Sequence, residues 1–117
     1  MASDSIFCKY IPAKGHKVNS LRVELYYNLG GMNYWTYKPD SRGYYLSVTP
    51  VESAQRNGYT TESYTMGSGV KMLIKEVNRK SAKAAAEAEV LAQPHIQELI
   101  DYICNKEGVE VINEEDA

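Results

Sequence analysis

Long apolar runs are missing from this sequence of 117 residues, and cysteine and histidine are scarce. No run approaches the ~18 apolar residues that a membrane-spanning helix needs. The N-terminal segment MASDSIFCKYIPAKGHK places an acidic residue ahead of only a short apolar run, which is unlike a secretory signal peptide. We therefore expect a cytoplasmic protein that makes no membrane contact.

The two cysteines and two histidines form no pattern typical of a metal site or a disulfide framework. Cys8 and Cys104 lie near opposite ends of the chain, outside any CxxC pattern, and both are expected to be buried thiols. A Cys8–His16 nucleophile–base pair is conceivable, but a buried thiol and a surface imidazole are the simpler interpretation. HExxH, HxH and GxSxG patterns and paired carboxylates are also absent. The sequence therefore indicates a non-enzymatic protein without a metal or cofactor.

Gly67-Ser68-Gly69 stands between a predicted strand and a predicted helix, where backbone N–H groups can bind phosphate. The segment lacks the Lys-Ser/Thr pair of a P-loop and the third glycine of a dinucleotide-binding loop. We therefore favour a structural role, in which Ser68 caps the helix that follows.

Charge is unevenly distributed along the chain. Residues 1–83 contain twelve Lys and Arg against six Asp and Glu, a net charge of +6, whereas residues 84–117 contain one against nine, a net charge of −8. Such asymmetry is typical of a polyanion-binding protein or an acidic interaction segment, although exposed helices also carry charge. The length fits a single domain over residues 1–112, followed by a flexible acidic tail over residues 113–117.

Period-two alternation predicts four or five antiparallel strands in the first half of the chain. In the clearest of them Leu21, Val23, Leu25, Tyr27 and Leu29 share the parity that should face the core. Gly30-Gly31, Pro39–Gly43 and Asn57-Gly58 supply turn signals between strands. The other predicted strands are Ile6–Ile11, ended by Pro12, then Met32–Lys38, then Tyr44–Val51 with Leu46 and Val48 inward, and finally Tyr59–Met66.

The apolar period changes to 3.6 residues at Val70, which predicts a long helix from there to about Ala92, packed across the sheet. Pro94 should end or kink this helix and start a second one, because proline is favoured in a first helical turn. Gly108 is a suitable C-terminal stop, and Val109–Ile112 could add a short strand. The predicted fold class is α+β, an antiparallel sheet of four to five strands followed by two C-terminal helices.

The candidate binding face is aromatic and basic. Most of the ten Tyr residues and the only Trp lie between Leu21 and Glu52, and parity places Tyr26 and Tyr45 on the outward face of the sheet. Exposed rings stack on nucleic-acid bases, and Arg or Lys neutralises phosphate, but Tyr is equally common in protein interfaces. The predicted helix adds a stripe of basic residues at i+4 spacing, which runs from Lys71 to Lys83. The candidate residues are Arg22, Tyr26, Tyr34, Trp35, Tyr37, Lys38, Arg42, Tyr45, Lys71, Lys75 and Arg79.

In element order alone, residues 21–83 resemble the single-stranded DNA- and RNA-binding architectures of the PUR and Whirly type, without any signature residue. The leading hypothesis is therefore a binding domain for single-stranded nucleic acid. The alternative is a protein-binding adaptor or inhibitor, such as a phage or mobile-element accessory protein that blocks a host enzyme. An incomplete small sheet also favours a homodimer.

Overall fold

A computed structural model describes residues 3–33, 37–39, 41–63 and 69–112. The chain folds as an α+β structure in which an antiparallel sheet carries one long helix on one face. Its elements are β1 (Ser3–Gly15), β2 (Val18–Asn28), β3 (Met32–Asn33), β4 (Lys38–Pro39), β5 (Gly43–Arg56), β6 (Tyr59–Ser63), β7 (Val70–Leu73), α1 (Ala82–Glu107) and β8 (Glu110–Val111).

The main sheet has the strand order β6-β5-β2-β1-β8, and β7 pairs with the first half of β5. The core lies between this sheet and α1. The inward parity predicted for β2 and β5 is confirmed, because seven side chains of that parity are almost completely buried. They are Leu21, Val23, Leu25, Tyr27, Tyr44, Leu46 and Val48. Leu29, which continues the same parity beyond β2, is 39% exposed.

Helix α1 packs mainly over β5 and β2. Its buried side chains recur about every four residues, and the small ones come first, so the N-terminal half of the helix can approach the sheet closely. They are Ala84, Ala88, Ala92, Ile96, Ile100 and Ile103. Ser81 caps the helix by accepting a hydrogen bond from the Ala84 N–H, and Gly108 ends it in a left-handed conformation.

The prediction of two helices, the first starting at Val70, is wrong: the described residues contain one helix, which begins at Ala82. Residues from Val70 form strand β7, where Val70 and Met72 pair with inward-facing residues of β5, so their alternation is satisfied in a strand. Ile74 and Val77 lie in an irregular connection after β7, and their side chains are buried. The Ile74 N–H fixes this connection to β5 by donating to the Tyr44 C=O at 2.8 Å. The N-cap of α1 is Ser81, whereas Ser68, the predicted cap, lies outside the described residues. Because α1 begins only at Ala82, the described part of residues 21–83 lacks the helix on which the resemblance to PUR and Whirly architectures depends.

Pro94 lies inside α1 and does not divide it. Proline removes one helical hydrogen bond, the one that the Val90 carbonyl would accept. Val90 is 71% exposed, so this part of the helix surface faces solvent and water can satisfy that carbonyl. The C-terminal half therefore continues as one helix to Glu107.

Strand β1 passes through Pro12 instead of ending there. The Pro12 carbonyl accepts a hydrogen bond from the Ile112 N–H at 3.0 Å, so the backbone polar groups of Pro12 point away from β2. The missing N–H of proline therefore removes nothing from the β1–β2 ladder. The predicted strand Met32–Lys38 is wrong for a different reason, because Met32–Asn33 and Lys38–Pro39 are two strands that pair antiparallel with each other.

The hairpin between β5 and β6 turns at Asn57-Gly58, as predicted, and both residues have positive φ. Of the predicted strand Tyr59–Met66, the structure describes residues 59–63, which form β6. Gly69 precedes β7 for a packing reason: a Cβ atom at this position would lie 2.7 Å from Thr49 Oγ1. Gly67 and Ser68, the rest of the glycine-containing segment, lie outside the described residues.

Candidate functional site

The sheet face opposite the helix is concave and largely covered. In a flat sheet β6 and β1 would be roughly 14 Å apart, three strand spacings. Nevertheless, Glu62 of β6 accepts hydrogen bonds from Tyr10 of β1 and Arg22 of β2, each at 2.7 Å. The sheet therefore curls around this face, and residues such as Val51 on it are buried.

Tyr45 lies on that face, but it is not displayed. Its side chain is 6% exposed, its ring stacks on Tyr26 with centroids 5.8 Å apart, and its hydroxyl donates to the Ser41 carbonyl at 2.8 Å. The Lys71 ammonium lies 5.1 Å from the centre of the Tyr45 ring. Tyr45 has the predicted parity, on the face away from the helix, but the expectation that its ring is displayed is wrong, because the curled sheet and these contacts cover it. Tyr26 is half-buried.

Arg22 contacts Glu62 through Nη1, and their side chains are 22% and 18% exposed. Tyr10 donates to the second oxygen of the same carboxylate, and this hydrogen bond is the main reason that the pKa of Tyr10 lies far above its ordinary value. We call Tyr10, Arg22 and Glu62 the Glu62 cluster. The sequence offered no signal for Glu62, because the contact joins β6 to β1 and β2 across β5.

The remaining candidate residues are not gathered at one place. Tyr37 is 82% exposed, and Arg42 is exposed with its Nε donating to the Leu29 carbonyl at 3.2 Å. Only the backbone of Lys38 is described, in β4, while Tyr34 and Trp35 lie outside the described residues.

The four basic residues with i+4 spacing do not form a helical stripe. Lys71 is on β7, Lys75 and Arg79 are in the irregular connection before α1, and Lys83 is in the first turn of α1. Such a stripe requires a helix that begins at Val70, whereas Val70–Leu73 is a strand and α1 begins at Ala82.

The described part of β1 has an open edge. Strand β8 pairs with β1 only at Ala13 and Lys14, and the Ile112 N–H then bonds to Pro12. In an antiparallel strand the backbone polar groups of alternate residues point to the same side, so those of Tyr10 and Cys8 point to this edge like those of Pro12. Among the described residues no strand pairs with β1 here. Two N–H and two C=O groups are therefore available to a further strand.

An apolar groove of about 390 Å³ lies next to this edge, between β1, β8 and the C-terminal half of α1. Its apolar walls belong to Ile11, Ile100, Cys104, Val109 and Val111, and its polar lining belongs to Gln97, Asp101 and Glu110.

The two thiols are less buried than the sequence suggested. Cys104 is half-buried, and burial followed by the charge of Asp101 raises the pKa of its thiol. Cys8 is exposed, because it lies on β1 near the margin of the sheet. Its pKa is also raised, first by partial burial and then by the charge of Glu24. Neither thiol has the lowered pKa of an activated nucleophile.

Within the described ranges, no group of three or more His, Cys, Asp or Glu side chains could hold a metal ion. In the same ranges, no helix is both long and apolar enough to cross a membrane. The chain matches no protein-family model, no curated protein and no solved structure.

Proposed function

We propose that this chain is a small non-enzymatic binding protein whose partner is another protein, as expected of an adaptor or of an inhibitor of a host enzyme. The observation that carries the proposal is the open edge of β1 beside the apolar groove. An exposed strand edge offers hydrogen bonds that another polypeptide can complete, and the groove offers apolar surface for its side chains.

The chemistry of this surface favours a polypeptide over nucleic acid. The groove has apolar walls, and its charged lining residues, Asp101 and Glu110, are acidic and would repel phosphate. By contrast, two residues that the nucleic-acid hypothesis requires on display are held in internal contacts. These are Tyr45 against Tyr26 and Arg22 against Glu62.

A pull-down with the immobilised chain, from source-cell lysate with and without nuclease treatment, tests this proposal. We expect the same protein to be recovered under both conditions, because its contact does not pass through nucleic acid. Recovery that disappears after nuclease treatment contradicts the proposal. So does a lysate from which no protein is retained above the level held by an unrelated domain of similar charge.

Binding of single-stranded nucleic acid is the second candidate. It is favoured by the half-buried Tyr26 on the Tyr45 ring, with the Lys71 ammonium close by and the exposed Tyr37 and Arg42 in the neighbouring segment. Fluorescence anisotropy with labelled single strands at low and moderate salt tests it, because phosphate contacts weaken as salt rises. Lys71→Ala should then reduce the affinity, whereas Lys106→Ala, on the far end of α1, should not. Absence of salt-sensitive binding rejects this candidate.

A cytoplasmic location and a twofold homodimer stay predictions from the sequence. Light scattering across a range of protein concentrations checks the second of them. A constant monomer mass would contradict it.

A further inference from the structure

We propose that the open edge of β1 accepts a short extended segment of the partner protein, aligned antiparallel to β1 over Phe7–Ile11. The segment would carry apolar side chains opposite Ile11 and Phe7 and an acidic side chain opposite Lys9. This inference rests on the proposed function and specifies the partner's chemistry.

The backbone fixes which groups of β1 face the incoming segment. Phe7, Lys9 and Ile11 pair with Leu25, Val23 and Leu21 of β2, whereas the outward groups belong to the residues between them. Cys8 and Tyr10 therefore each offer one N–H and one C=O to the new strand. Antiparallel pairing continues the arrangement of the whole sheet and is the more stable kind per residue.

Two local features limit the segment to about five residues. A register shift between Ser5 and Phe7 places Ile6 in a bulge, which interrupts the edge at one end. At the other end the Pro12 carbonyl already accepts a hydrogen bond from the Ile112 N–H. Bulges and proline at an edge suppress indiscriminate strand pairing, so this edge favours a short partner segment over extended aggregation.

The side chains of β1 specify the alternate residues of the segment. Opposite residues of an antiparallel pair lie on the same face, so the three partner residues opposite Phe7, Lys9 and Ile11 would lie on the side of α1. Phe7 and Ile11 are half-buried and pack against the core, and Ile11 lines the groove. An apolar partner side chain at these two positions therefore meets apolar surface.

Charged side chains near the edge favour an acidic residue in the middle of the partner segment and disfavour one at its first position, opposite Ile11. Lys9 is exposed and favours an acidic residue opposite it, whereas Asp101 at the groove repels an acidic residue opposite Ile11. The segment therefore follows the pattern apolar-x-acidic-x-apolar.

The probe is the peptide acetyl-Thr-Val-Thr-Glu-Thr-Val-Thr-amide, titrated into the full chain labelled with ¹⁵N. We expect saturable shifts of the Cys8 and Tyr10 amide signals, with slower hydrogen exchange at both. The third and fifth peptide residues would donate their N–H groups to β1, so N-methylation of both should weaken binding at least tenfold. N-methylation of the second and fourth residues, whose N–H groups point away, should leave the affinity within about twofold. Equal affinities for the two methylated peptides, or absence of shifts at Cys8 and Tyr10, overturn strand addition.

A charge exchange tests the assigned register. Replacing the central Glu of the peptide with Lys should weaken binding to the wild-type chain about threefold, the size expected for an exposed ion pair. Lys9→Glu should reverse this preference, whereas Lys75→Glu, an equal charge change in the connection before α1, should not. A preference that Lys9→Glu does not reverse contradicts the register.

Other occupants of the edge give different results. Loss of the Cys8 and Tyr10 signals with rising protein concentration, without peptide, indicates a second copy of the chain at the edge and overturns the proposal. Peptide binding only by a chain that ends at Ile112 indicates competition from residues 113–117, and overturns it too.

Pull-downs with edge variants distinguish a failure of strand addition from a failure of the proposed protein binding. If Cys8→Pro, which blocks the edge, still recovers the same lysate protein as wild type and Cys8→Ala, then strand addition is wrong but protein binding stands. If wild type recovers none, protein binding itself is wrong.

Discussion

Removing the guanidinium of Arg22 distinguishes a structural residue from a ligand-binding one. If Arg22 were displayed for a ligand, Arg22→Ala would weaken binding and leave stability unchanged. In the structure its Nη1 lies 2.7 Å from Glu62 Oε1, and both side chains are about four-fifths buried. We therefore expect Arg22→Ala to lower the free energy of unfolding.

The magnitude follows from the contact. A hydrogen bond between charged groups contributes about 1.5–3 kcal/mol, and the cost of breaking a fully buried pair, about 3–5 kcal/mol, is reduced here because both side chains retain some solvent. We expect a loss of about 2 kcal/mol, which lowers Tm by roughly 8 °C for a chain of this size. Arg79→Ala is the matched control, because Arg79 is exposed and the substitution should change stability by less than about 0.5 kcal/mol.

Chemical denaturation of Arg22→Ala, Glu62→Ala and the double variant measures the coupling between the two residues. We expect a coupling free energy of about 1.5 kcal/mol, with similar m-values for all four proteins. If the two single effects add within about 0.3 kcal/mol, the contact does not stabilise the fold and Arg22 has to be reconsidered as a ligand-binding residue.

Three further predictions concern α1 and the Glu62 cluster. Pro94→Ala should stabilise the protein by about 1–3 kcal/mol without changing its far-UV circular dichroism, because the helix already continues through this position; destabilisation would indicate a helix that starts there. Ala88→Leu should cost about 1–3 kcal/mol in denaturation, because Ala88 is fully buried against the sheet, whereas Ala86→Leu on the exposed side should be nearly neutral. The raised pKa of Tyr10 stabilises the fold below the unfolded-state value of about 10, and this contribution is lost as pH rises towards the folded-state pKa. Stability should therefore fall more steeply above about pH 10 in wild type than in Tyr10→Phe; equal slopes would contradict the assigned hydrogen bond.

Local pattern was sufficient for much of the sheet. Alternation in β2 and β5 identified Leu21, Val23, Leu25, Leu46 and Val48 as inward residues, and they are fully buried. Asn57-Gly58 identified a hairpin because both residues accept positive φ. These predictions were possible because each depends on neighbours within a few residues.

The boundaries of α1 could not be found in the same way. Val70, Leu73, Ile74 and Val77 fit a helical period, but tertiary pairing with β5 makes Val70–Leu73 a strand. Ile74 and Val77 lie in the irregular connection that follows. Pro94 is a valid first-turn residue, and only its position on the solvent side of a packed helix allows it in the interior.

The candidate site depended on long-range geometry. Parity correctly separated Tyr45 from the helix-covered face, but parity contains no information on curvature, which covers its ring. The contact of Glu62 with Tyr10 and Arg22 joins residues more than 35 positions apart. Among the described residues, β8 covers the edge of β1 at Ala13 and Lys14 alone, and no periodicity encodes so short a strand.

Hydrogen exchange of individual β1 amides, measured by NMR on the dilute chain alone, tests the open edge most directly. We expect rapid exchange at Cys8 and Tyr10 and slow exchange at Lys9 and Ile11, because only the latter pair donates to β2. Uniform protection of all four amides would show that the edge is already occupied, and it would contradict its assignment as the partner-binding surface.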